Sequence, residues 1–302
     1  GEAKPMVLGE EHWQWDHGGD NFVTLIDPSD LDTMYLEGMF GGMGRKDLKT
    51  GKNHGIRPGP APEGKKLRFN WMTPFILSHY DSKTLYAGAN MLFKSENRGD
   101  QWTCISPDLS TNPGPERQGD VPFGTITDIS ESALKKGLLY AGTDDGQLHV
   151  TRDDGATWTK INNGLPNRWV SRVVASKYDE GTVFVSLTGY REDDFEAYLY
   201  MSTDFGETWK SIVNNMPSES INVIREDPTD KDILYVGTEL GAYCSIDKGK
   251  TWHSLCKTLP TCAVHDLALH AGTGDLVAGT HGRSVFVLHA KEIQKMKQEM
   301  AK

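Results

Sequence analysis

The stretch Ser202-Thr-Asp-Phe-Gly-Glu-Thr-Trp209 recurs along the chain, and its copies set the reading of everything around them. They are Thr151-Arg-Asp-Asp-Gly-Ala-Thr-Trp158, Ser245-Ile-Asp-Lys-Gly-Lys-Thr-Trp252 and the degenerate Ser95-Glu-Asn-Arg-Gly-Asp-Gln-Trp102. Each octet opens with Ser or Thr and has Asp or Asn third, Gly fifth and Trp eighth. Each lies between short apolar runs such as Tyr198-Leu-Tyr200 and Trp209-Lys-Ser-Ile212. This is turn chemistry. An Asp side chain accepts hydrogen bonds from its own turn, Gly takes a positive φ without steric cost, and Trp packs its ring on the layer beneath. The octet therefore predicts a locked hairpin, and Asp153, Asp204 and Asp247 read as structural groups. Trp102, Trp158, Trp209 and Trp252 are their packing anchors.

Working outward, each octet belongs to a longer repeat. A β-rich run and a short turn lead to a strand such as Leu85-Tyr-Ala-Gly88, Leu139-Tyr-Ala-Gly-Thr143 or Leu234-Tyr-Val-Gly-Thr238, and then to the strands entering and leaving the octet. The fourth repeat has Val183-Phe-Val-Ser186 and carries the insertion Gly189-Tyr-Arg-Glu-Asp-Asp-Phe195. The octet tryptophans recur every 43 to 56 residues, as blades of four short strands require. Two further repeats lack the octet: Phe22 to Leu36 with Gly41-Gly-Met-Gly44, and Val264 to Leu288. The expectation is an all-β propeller of about six four-stranded antiparallel blades over residues 1–290. Residues 291–302 form a helical tail whose Ile293, Met296 and Met300 face inward. Arg57 to Lys66 and Asn112 to Gly119 read as Pro/Gly-rich surface loops.

Composition narrows the function classes. The 302 residues carry 42 acidic and 32 basic side chains, a net charge of −10, and no basic stripe, which argues against nucleic acid as a partner. No apolar run approaches the length of a membrane span, and mean hydropathy is −0.51. Cys104, Cys244, Cys256 and Cys262 have no paired metal-ligand spacing, so neither a metal nor a cofactor is expected. Counting register outward from the octet sets Cys244 opposite His253, away from Cys256.

The octets resemble the Asp-box, or BNR, repeat of sialidases, oligoxyloglucan hydrolases and sortilin-like receptors. Other stretches resemble a bacterial group of sortilin-like BNR-repeat proteins often labelled glycosyl hydrolases by analogy. They are Arg68-Phe-Asn-Trp71, Trp169-Val-Ser-Arg172, Asp193-Asp-Phe195, Val264-His-Asp-Leu267 and Thr280-His-Gly-Arg283. The resemblance implies that the chain corresponds to the C-terminal part of a longer propeller region, with Gly18-Gly-Asp20 at an interior point. It also implies a secreted or periplasmic protein, and a possible partner in a second propeller half or another chain. Trp13 and Trp15 would then be covered by the last blade or by that partner.

Propellers bind ligands where their innermost strands converge. That places Trp71, Trp169, Arg172, His265 and Arg283 as candidate ligand-binding residues, with Asn70, Asn222, Arg191 and His281 nearby. Rings, carboxylates and guanidinium groups there suit a glycan or a protein segment equally. Each candidate also has a packing role open to it: inter-blade contact for the tryptophans, a hydrogen-bonded pair for His265 and Asp266, and an ion pair to a neighbouring blade for Arg283. A glycosidase needs two carboxylates from different blades, one with a raised pKa. Asp194, Glu239 and Asp266 are the candidates for such a pair. Two functions follow: a sortilin-like binding scaffold, which the residues favour, or a glycoside hydrolase of the oligoxyloglucan or sialidase-like kind.

Overall fold

The computed structural model describes residues 20–255, 259–270 and 272–300. The expectations for Gly18, Trp13, Trp15 and Cys256 fall outside them. Six antiparallel sheets follow one another as propeller blades. Blade 1 holds β1 (Asn21–Asp27), β2 (Asp30–Gly38), β3 (Met43–Asp47) and β4 (Asn53–Gly55). Blade 2 holds β5 (Phe75–Leu77), β6 (Leu85–Gly88), β7 (Leu92–Ser95) and β8 (Thr103–Cys104). Blade 3 is built from β9 (Ile126–Glu131), β10 (Leu139–Thr143), β11 (Leu148–Thr151) and β12 (Thr159–Lys160). Blade 4 follows with β13 (Trp169–Ala175), β14 (Val183–Gly189), β15 (Asp194–Ser202) and β16 (Lys210–Ser211). Blade 5 has β17 (Ile221–Glu226), β18 (Leu234–Thr238), β19 (Ala242–Ser245) and β20 (His253–Ser254). Blade 6 is the last sheet in the series. Its described strands are three, β21 (Val264–His270), β22 (Asp275–Thr280) and β23 (Val285–His289), after which the chain enters α1 (Lys291–Met300).

The Leu-Tyr-Ala-Gly strand is the second strand of its blade, and its pleat explains why no clean polar alternation appears. Alternate side chains point to opposite faces, and here both faces are covered. Leu85 and Ala87 pack against blade 1, while Tyr86 packs against Ile126, Ile129, Leu139 and Ala141 of blade 3. The same division holds for Tyr140 toward blade 4, Phe184 toward blade 5 and Tyr235 toward blade 6. Burying an aliphatic side chain such as Leu139 or Leu234 at these interfaces is worth about 1.5–3 kcal/mol.

All four octets lie in the turn between the third and fourth strands, and their internal bonding is as the residue types require. Asp204 Oδ1 accepts from Ser202 Oγ at 2.6 Å and from Thr208 N at 2.9 Å, while its Oδ2 accepts from Thr208 Oγ1 at 2.6 Å. These bonds, led by those from the two hydroxyls, hold the Asp204 carboxyl down at about 2. Asp153 and Asp247 repeat the pattern, and Asn97 keeps part of it. The octet also reaches across to the preceding blade, which the sequence did not reveal. Each indole Nε1 donates to a backbone carbonyl there: Trp102 to Ile56 at 2.9 Å, Trp158 to Ile105 at 2.8 Å, Trp209 to Ile161 at 2.7 Å and Trp252 to Ile212 at 2.7 Å. The fifth-position glycine sits on the side chain of the same isoleucine. A Cβ on Gly249, for example, would lie 2.9 Å from Ile212 Cδ1, and its φ is +81°.

Helix α1 forms as its spacing predicts. Ile293 is buried and Met296 packs beside it in the apolar cluster of blades 5 and 6. Lys297 ties the helix to Asp230 at 2.6 Å and Asp232 at 3.0 Å. Cys244 pairs in register with His253, as counted, and Cys104, Cys244 and Cys262 are free thiols.

Candidate functional site

Strand direction divides the molecule into two ends. With every blade antiparallel, the loops leading into the inner strands share one end with the turns between second and third strands, and the octets lie at the other. The residues that open the inner strands therefore lie at the end away from the octets. At that end blade 4 carries its insertion. Arg168, just before β13, donates from Nε to Asp194 Oδ2 at 2.7 Å and pairs with Glu192 at 3.2 Å. Arg191 lies over the Trp169 ring at 4.3 Å from its centre, so Trp169 has a cation on one face. Tyr190 and Phe195 meet edge to face at 5.9 Å, each 51% exposed, and Leu240 in the next blade is 52% exposed. His265 and His281 approach to 5.1 Å between ring centres. His265 is exposed by surface area yet crowded by neighbouring atoms, and this partial desolvation lowers its pKa against the pull of Glu239, with His281 and Arg191 acting in the same direction. Arg283 is exposed, and no ion pair to it occurs among the described residues.

Deeper along the channel the inner strands are joined by charge. Arg172 of blade 4 pairs with Asp128 of blade 3 at 3.2 Å and with Asp266 of blade 6 at 3.4 Å. Arg225 of blade 5 reaches the same Asp266 oxygen at 2.7 Å, and its Nε donates to the Leu267 carbonyl. Four consecutive blades thus share one ionic lattice. Arg172 is accordingly a link within the wall, and Asp266 bonds to arginines of blades 4 and 5, not within its own blade to His265. Asp128 and Arg225 went unremarked in the sequence because the lattice depends on which inner-strand positions face the axis.

Trp71 packs on blade 1, its ring 5.0 Å from Phe40 and 6.5 Å from Phe22. Beside it Asn70 is buried and fully used, donating to Thr125 Oγ1 at 2.8 Å and Asp144 Oδ2 at 3.3 Å. Burial raises the Asp144 carboxyl to about 6 and that of Glu37, which accepts from Thr73 N at 3.0 Å, to about 8. Both are closed inside the blade walls. The three carboxylates proposed from sequence differ from these. Asp194 is drawn below its ordinary value: partial burial acts upward, but Arg168, the Glu196 N–H and Tyr198 outweigh it. Glu239 accepts from Asn222 at 3.0 Å, and Asp266 is engaged by two arginines. Among the described residues no group of His, Cys, Asp and Glu is arranged to hold a metal.

Residues 146–266 match the sortilin-Vps10 family model, described as sortilin, neurotensin receptor 3. No curated protein sequence matches the chain. Among solved structures, the GH74 xyloglucanase from Xanthomonas campestris is 18% identical at a TM-score of 0.63, the alignment covering 88% of this chain and 44% of that one. An ancestral GH74 enzyme is 15% identical at 0.67, over 89% and 36%. The extracellular domain of BT4673 from B. thetaiotaomicron is 16% identical at 0.57, over 89% and 33%. The chain therefore spans less than half the length of these structures, and at such identities the likeness is one of fold. No helix among the described residues is long and apolar enough to cross a membrane.

Proposed function

From the premise that this chain is a sortilin-like propeller, we propose that it is a binding scaffold, secreted or periplasmic, that takes a protein segment or a glycan at the mouth. The octets, read as Asp-box repeats, belong to its frame. The observation that carries this reading is the contrast between the two sets of candidates. The carboxylates a hydrolase would need are occupied: Asp194 by Arg168, Asp266 by Arg172 and Arg225, and Glu239 by Asn222. A general acid needs a raised pKa, and Asp194 is shifted the other way. The rim, by contrast, leaves Tyr190, Phe195 and Leu240 about half exposed, and His265, His281 and Arg283 are exposed as well. Aromatic rings of this kind stack on sugar faces or apolar side chains, and the exposed guanidinium of Arg283 suits an acidic group.

The reading is tested with the purified chain on glycan and peptide arrays, followed by titration of the best ligand. Trp169→Ala and Phe195→Ala should weaken that ligand at least tenfold at an unchanged melting temperature, and Arg283→Ala should do so only for an anionic ligand. Turnover of any oligosaccharide that disappears in Asp266→Asn while the fold persists would favour the glycoside hydrolase instead.

A further inference from the structure

The β14–β15 hairpin of blade 4 outreaches its counterparts. Its strands run to seven and nine residues, against four or five for the second and third strands of blades 2, 3 and 5. The register shifts between Leu187 and Gly189, at the level of Trp169, which pairs with Thr188. Such a bulge bends its strand. The turn Tyr190-Arg-Glu-Asp193, closed by Asp193 at φ +56°, comes back over that indole, and the Arg191 guanidinium lies 4.3 Å from the ring centre. The hairpin is also fastened to the segment that leads into blade 5, where Ser218 Oγ donates to Glu196 Oε2 at 2.7 Å.

Charge decides where Arg191 rests. The acids that follow it in sequence are Glu192, Asp193 and Asp194, and Arg168 takes two of them. Its Nε donates to Asp194 Oδ2 at 2.7 Å, and its guanidinium pairs with Glu192 at 3.2 Å. Asp194 is engaged further, accepting from the Tyr198 hydroxyl at 2.9 Å and from Glu196 N at 3.1 Å. With these acids held by Arg168, the Arg191 cation is left to the indole, whose negative face attracts it. A ring face holds one partner at a time. The ring assigned above to ligand stacking thus carries a side chain of its own protein on one face, and a sugar or an apolar side chain meets that face only after the guanidinium has left it.

We infer that Arg191 is an autoinhibitory cover on Trp169, set in place by Arg168, and that a ligand stacks on this ring only when the turn 190–193 carries the guanidinium aside. The inference rests on the reading of the mouth as a binding site, and the tests let the two fail separately. The first test needs no ligand. Acrylamide, a neutral collisional quencher, reports how open an indole is, and each protein is measured beside its Trp169→Phe counterpart so that the difference belongs to Trp169. The quenching constant of Trp169 should rise at least about twofold in Arg191→Ala, at a melting temperature within about 2 °C of the parent chain, the range of a surface change. It should rise also in Arg168→Gln, where Glu192 and Asp194 are released to draw Arg191 off the ring. An unchanged constant in Arg191→Ala overturns the cover, and a rise there with none in Arg168→Gln overturns the part given to Arg168. The second test titrates cellohexaose, a neutral glycan, into parent and variant. A cation over an exposed indole holds its place by a preference of about two- to fivefold, so Arg191→Ala should bind cellohexaose tighter by about that factor. Equal or weaker binding would make Arg191 a bystander or a ligand contact and overturn the proposal. Binding by neither form would count against a glycan at the mouth, and the acrylamide result would then decide the cover by itself.

Discussion

Trp252→Phe isolates what the octet does between blades. Trp252 is 4% exposed, and it packs among Phe184, Leu199, Ile212, Ile221, Ile224, Leu234 and Val236 while its Nε1 donates to the Ile212 carbonyl at 2.7 Å. Phenylalanine keeps one ring and loses both the donor and the second ring. The Ile212 carbonyl is then left buried without that partner, at a cost of about 1–3 kcal/mol. The space left by the missing ring adds about 1–2 kcal/mol, less than full truncation of an aromatic side chain. The sum is about 2–5 kcal/mol, which at about 2–4 °C per kcal/mol lowers the melting temperature by about 4–20 °C. The assay is thermal unfolding followed by circular dichroism, with Trp158→Phe as the comparison, since Trp158 is only half buried and should lose less. Hydrogen exchange should locate the loosening at the junction of blades 4 and 5. If Trp252→Phe melts within about 1 °C of the parent chain, or if its faster exchange is confined to the octet turn, the inter-blade role is refuted.

Other consequences can be checked with the same material. Asp204→Asn should lower the melting temperature modestly and leave ligand affinity unchanged, because the octet lies at the end opposite the mouth; lost binding in a folded variant would contradict that. Gly249→Ala combines a positive φ with a collision against Ile212, so urea unfolding should show a loss well above the usual 0.5 kcal/mol of a surface change. Glu37 gives a pH signature. Its folded pKa of about 8 lies above the ordinary 4.5, so the folded state holds a proton that the unfolded chain releases. Its contribution is full below about pH 4.5 and declines, by up to about 1.4 kcal/mol per pH unit, until it levels off near pH 8. Glu37→Gln should remove that part of the slope, and parallel pH profiles for parent and variant would show that Glu37 is ionised in the fold. Arg172→Ala should cost stability as well as any binding, since it leaves Asp128 buried without its cation; an unchanged melting temperature would mean that the lattice carries no load.

What the sequence determined by itself is local and periodic. Side chains that bond within four residues, as in Ser202, Asp204, Gly206 and Thr208, fix a turn whatever surrounds it, and four such turns at blade spacing fix the architecture. Register followed from the same turns, so Cys244 could be placed opposite His253 by counting. Helix α1 was legible in the spacing of Ile293 and Met296. Tertiary structure decided what depends on neighbours remote in sequence. Nothing local tells an indole which carbonyl will receive its proton, so the bond from each octet tryptophan to the preceding blade was invisible. Arg172 looked like a free ligand-binding group because its partners, Asp128 and Asp266, lie 44 and 94 residues away and meet it only when inner strands converge. Glu37 and Asp144 gave no sign of their raised pKa values, since burial is a property of the assembled wall.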